Sequence, residues 1–132
     1  PAAIDMLHAC LDVTGPQMVF VDTLTNSTRR DLGRQNEVKA LLSPLQEIAE
    51  ATQVPIVVLL HLPPAGQALA RRIKGLTRTL LHLECPNPDQ PSRVRLWAER
   101  AFEFKPPALG VTIGEAGNEY DDDPPVDIDE EV

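Results

Sequence analysis

The chain has 132 residues, 42% of them hydrophobic, enough for one domain around one core and too few for two ordinary ones. Its formal net charge of -8 comes from the last stretch, because nine acidic and no basic side chains follow residue 114, while residues 1–114 hold twelve basic against eleven acidic ones; a body so close to neutral neither favours nor excludes a nucleic-acid partner. No apolar run approaches the roughly 20 residues of a membrane span, and Cys10, Cys85, His8, His61 and His82 lack metal-ligand spacing, so a reduced, cytoplasmic setting is expected.

The opening residues, from Pro1 to Leu11, carry no charged leader pattern and are expected to be a cut from a longer chain. Residues 2–12 put Ile4, Leu7, His8 and Leu11 on one helical face, and Gly15-Pro16 stops that helix. Met18-Val19-Phe20-Val21 is a continuous apolar run ending in Asp22, the pattern of a strand buried on both faces. A long polar loop follows, from Thr23 to Gln35, with Arg29, Arg30 and Arg34. From Asn36, a candidate cap, Val38, Leu41, Leu42, Leu45, Ile48 and Ala49 recur at helical spacing to about Thr52.

Val54 to Leu60 is a second apolar strand, ending in His61. Strand, helix and strand make a crossover whose strands should run parallel. Asp22 and His61 then share the carboxyl edge of the sheet, where open α/β sheets place their ligands. After Pro63-Pro64-Ala65-Gly66 comes a basic, partly helical stretch with Arg71, Arg72, Lys74 and Arg78. Strands are predicted at Thr79–Leu83, Arg93–Ala98 and Leu109–Ile113. Residues 1–114 form the expected domain, an α/β fold whose mostly parallel sheet is extended by late antiparallel strands. Residues 115–132 are expected to be a flexible acidic tail, proline-containing from Tyr120 onward and unable to bury enough surface to fold alone.

The apolar strand ending in Asp22 has the form of a Walker B element, in which a strand-end carboxylate holds magnesium through its water shell. A strand-end aspartate that caps a turn has the same form. The order MVFVDTL, LLSPLQEIAEATQVPIVVLLH, RRIKGLTRTLLHLE and RVRLWAERAFEFKPPALGVTI resembles the RecA-like P-loop ATPases, among them RepA-type hexameric helicases and their AAA-type relatives. The resemblance covers about residues 18–113 and rests on order and spacing more than on any single motif.

That resemblance implies an ATPase using ATP and Mg2+, assembled as a homo-oligomeric ring or filament, acting on DNA in replication or repair and not on membranes. It implies Asp22 as the metal-side carboxylate with Thr23 beside the nucleotide, His61 as a γ-phosphate sensor, and Arg78 as an arginine reaching a neighbouring subunit's nucleotide. Arg71, Arg72 and Lys74 would meet DNA phosphates; a solvated helix face is the ordinary alternative. On the late strand the family's basic run reads Glu99-Arg100-Ala101, leaving Arg100 as its basic candidate. The GxxxxGK[ST] loop does not occur in this sequence, so the chain alone is expected to be inactive.

Two rival readings remain. A degenerate RecA-like domain would keep the fold for oligomerisation or as a scaffold without catalysis. A hydrolase using Asp22 and His61 lacks the G-x-S-x-G turn, and Ser27, Ser43 and Ser92 occupy no such position. Trp97, Phe102 and Phe104 are expected in the core, with base stacking as the alternative.

Overall fold

The computed structural model describes residues 2–23, 34–61, 67–101 and 103–128, and the chain divides into two compact units, Pro1–Leu76 and Thr77–Val132. In the first unit, helix α1 spans Ala2–Thr14 and buries Leu11, with Ile4 and Leu7 half-buried on the same face. His8, expected on that face, is exposed. Gly15 ends the helix at φ +55°, donating its amide to the Leu11 carbonyl at 3.1 Å. A residue with a Cβ resists that left-handed backbone, which glycine adopts freely.

Strand β1 (Val19–Val21) pairs in parallel with β2 (Ile56–Val58), Phe20 opposite Val57, and helix α2 (Gln35–Thr52) lies between them in the chain. The helix buries Val38, Leu42 and Ile48. Its N-cap is Arg34, in extended conformation and without a side-chain cap bond, so Asn36 lies inside the first turn and does not cap it. Pro44 sits in the helix interior, and Gln53 closes the helix in the left-handed region at φ 59°.

Burial of the strands on both faces is not what the structure shows. Val19, Val21, Ile56 and Val58 are half-buried, whereas Phe20 is 62% exposed and Val57 37%. Met18 and Leu59, two residues along on the same alternation, are exposed as well. A continuous apolar run implies cover on both sides only where helices flank the sheet twice; here β2 packs against α2, and the alternate side chains of both strands are bare. Helix α3 (Gln67–Lys74) completes the unit against α2, with Ile73 buried.

The second unit is an antiparallel meander, β3 (Leu80–Glu84), β4 (Arg93–Arg100), β5 (Leu109–Gly114) and β6 (Gly117–Asp121), in that order across the sheet. Period-two alternation sends Val94 and Ala98 of β4 and Val111 of β5 to one buried face, and Arg93, Arg95, Trp97 and Glu99 to the other. The tail boundary moves as a result: residues 117–121 are a paired strand, because Gly114 and Gly117 flank a tight turn that brings Tyr120 opposite Val111. Phe104 is 73% exposed and is no part of the core, and Phe102 lies outside the described residues. Arg29, Arg30 and residues 63–66 also lie outside them. Among the described residues no helix is long and apolar enough to cross a membrane.

Candidate functional site

The parallel ladder of the first unit determines its working edge. The Val19 amide donates to the Pro55 carbonyl at 3.0 Å, and the Leu59 amide to the Val21 carbonyl at 2.9 Å. Pairing thus continues to the last residue before Asp22, and His61 stands two residues beyond Leu59 on the neighbouring strand. Both residues follow their strands at the carboxyl edge of the sheet, and both are exposed. Thr23, next to Asp22, is 4% exposed, the one buried polar residue among those described. An accessible carboxylate beside a buried hydroxyl can meet a hydrated cation without a cage of protein ligands.

That matters for the Mg2+ that the sequence resemblance implies. Among the described residues no group of three or more His, Cys, Asp or Glu could hold a metal ion. Mg2+ keeps several waters and is held through one or two carboxylates plus substrate phosphates. Asp22 fits that manner of binding.

The other residues named from sequence fall in two places. Arg71 and Lys74 are exposed on α3 and Arg72 is half-buried, its carbonyl accepting from Gln35 Nε2 at 3.4 Å. Arg78 is exposed ahead of β3, and Arg100 ends β4 opposite Leu80. Both belong to the second unit, whereas Asp22, Thr23 and His61 belong to the first.

The polar face of the meander holds a constellation that the sequence analysis passed over. One row of partners runs Glu84, Arg95, Gly110, Asp121 across all four strands. Arg95 donates to Glu84 at 2.8 Å and reaches Asp127 at 3.5 Å. Arg93 donates to both carboxylate oxygens of Asp121, at 2.6 and 2.8 Å, and to the Thr112 hydroxyl at 3.1 Å. Its hydrogen bond to Asp121 pushes the Arg93 guanidinium above its ordinary value, and Glu84 does the same, in the first place, for Arg95.

Farther along the same face His82 stacks on Trp97, ring centroids 4.3 Å apart, and meets Glu99 at 2.6 Å. Glu99, of the wrong charge for a phosphate contact, thus has a partner on its own sheet. The alternation R-V-R-L-W over residues 93–97 was the available signal, since period two puts Arg93, Arg95 and Trp97 on one face.

No family model matches the chain, and no curated protein matches it. Among solved structures it is similar to a KaiC-like protein from the hyperthermophilic archaeon Pyrococcus horikoshii OT3, with TM-score 0.68 and 10% identity. The match covers 91% of this chain and 56% of the archaeal one, so the chain spans little more than half the length of that structure. At such identity the likeness is one of fold alone, a parallel sheet, helices and an antiparallel sheet.

Proposed function

We propose that the chain is the Walker B and sensor part of a RecA-like ATPase that works on DNA as a homo-oligomeric ring or filament. The observation that carries this reading is the parallel pairing of β1 and β2, which brings Asp22 and His61 out at one edge of the sheet. The fold shared with a KaiC-like protein supports it. Asp22 would hold Mg2+ through water, with Thr23 beside it, and the bound cation supplies charge neutralisation on the β- and γ-phosphates. His61 donates a hydrogen bond toward the γ-phosphate and relays its loss to the segment that follows. Arg78, with Arg100, would reach a neighbouring subunit's nucleotide, and Arg71, Arg72 and Lys74 would meet DNA phosphates.

The sequence has no GxxxxGK[ST] loop, so the phosphate cradle must come from a segment outside these 132 residues. Calorimetry of this chain with Mg-ATP should therefore give no micromolar binding, and such binding would overturn the reading. In a protein that carries the chain together with a GxxxxGK[ST] loop, Asp22→Asn should lower Mg-dependent ATP hydrolysis by about 10- to 100-fold, the usual cost of an outer-sphere metal contact. An unchanged rate favours the alternative, a scaffold domain that oligomerises without catalysis.

A further inference from the structure

The end of the described chain does not trail away from the meander. Asp121 binds Arg93 through both carboxylate oxygens, and the Asp123 carbonyl accepts from the same guanidinium. The Pro125 carbonyl then accepts from Arg95 at 3.4 Å, and Asp127 faces Arg95 at 3.5 Å. Residues 121, 123, 125 and 127 each supply an acceptor, so an oxygen group of the chain meets the two arginines at every second residue, with carboxylates at 121 and 127 and backbone carbonyls at 123 and 125.

The receiving surface is built for oxyanions. Arg93 and Arg95 stand two apart on β4 with their planar forks on one face, the geometry that binds carboxylate or phosphate bidentately. The next side chain on that face is Trp97, stacked on His82, with Lys105 Nζ 5.8 Å from the ring centroid. Arginines in a row with an aromatic ring and a nearby lysine combine a backbone track with a stacking platform. Space for the pairing is made at Gly110: a Cβ there would collide with the Arg93 guanidinium and the Asp121 carboxylate.

We propose that Arg93, Arg95 and Trp97 form a binding surface for single-stranded nucleic acid, and that residues 121–127 occupy it as an internal mimic of the phosphodiester backbone. The inference takes up the DNA partner of the reading above and gives it a surface apart from α3. Binding of polynucleotide exchanges four acceptors of the chain for phosphate oxygens, so the segment sets a threshold that short or weakly bound strands do not cross.

The test uses the full 132-residue chain and a labelled thymidine oligonucleotide, read by anisotropy between 50 and 200 mM salt and by Trp97 fluorescence, the chain having a single tryptophan. Asp121→Asn with Asp127→Asn should bind several-fold more tightly than the unaltered chain and quench Trp97. Gly110→Ala should do so too with no change of net charge, and Asp127→Asn alone, at a residue whose side chain is 55% exposed, leaves a variant whose folding is secure.

Adding Arg93→Gln and Arg95→Gln should abolish the gain and flatten the salt slope by about 1.4, for two phosphates at ~0.7 each. A gain that survives the arginine substitutions, no gain in any folded variant, or equal binding of inorganic polyphosphate without Trp97 quenching each overturns the proposal. Binding lost only on substitution of Arg71, Arg72 and Lys74 overturns it while leaving the broader DNA reading intact.

Discussion

The Asp121 carboxylate receives both terminal nitrogens of the Arg93 guanidinium, at 2.6 and 2.8 Å, across a strand whose residue at that point is Gly110. The two residues are 28 apart in sequence, and the pairing joins β4 to β6 over the intervening β5. It therefore ties down the last strand of the sheet by side chains as well as by its backbone ladder.

The first prediction concerns titration. The Arg93 hydrogen bond, with help from the Asp123 amide, holds the Asp121 carboxyl below its ordinary 3.8. A carboxylate depressed by folding adds stability that is complete above the unfolded value and fades as pH falls through the folded one. Stability from this pair should thus be flat from neutral pH down to about 5 and decline only in more acid solution. Carboxyl carbon NMR should show Asp121 titrating below the ordinary aspartate value of 3.8, and Arg93→Gln should move it back toward that value.

Core packing in the first unit gives a second. Ile48 is 2% exposed on the buried face of α2, where truncation leaves a cavity that the fold fills only in part. Ile48→Ala should cost about 2 to 5 kcal/mol, seen as a lower urea midpoint. A loss under about 0.5 kcal/mol, the scale of ordinary surface substitutions, would show that the helix face is not packed as described.

A proline within a helix makes the third. Pro44 lies well inside α2, where it forfeits one backbone hydrogen bond and crowds the preceding turn. Pro44→Ala should stabilise the chain by about 2 kcal/mol, the interior cost of proline less its benefit in the unfolded state. An unchanged urea midpoint would mean that the helix has already adapted to the ring through its packing.

How much of this was readable in advance differs from element to element. The crossover followed from two patterns that differ in period: an apolar run to Asp22, helical spacing through Leu41, Leu42 and Leu45, and a second apolar run to His61. Parallel pairing then placed both polar residues at one edge with no further information. Cover over each strand face was not readable, because Phe20 looks the same in sequence whether a helix lies above it or not. The Arg93–Asp121 and Arg95–Asp127 pairs were hidden for another reason. Their acids sit in a run whose composition signals solvation, and only the tight turn at Gly114–Gly117 brings that run back to the basic strand.

The fourth prediction bears on the sensor role proposed for His61. In a protein that joins this chain to a phosphate loop, His61→Ala should leave basal ATP hydrolysis within a few-fold while removing its stimulation by single-stranded DNA. A stimulated rate equal to the unaltered protein's would remove His61 from that role.

The bare alternation on β1 and β2 has a practical corollary at the bench. Phe20, Val57, Leu59 and Met18 form a greasy stripe on a ribbon of only two strands, and such ribbons are marginal in water without further cover. The purified polypeptide should light up hydrophobic dyes and come out of solution as concentration rises, and a single lysine in place of Phe20 should quiet both behaviours.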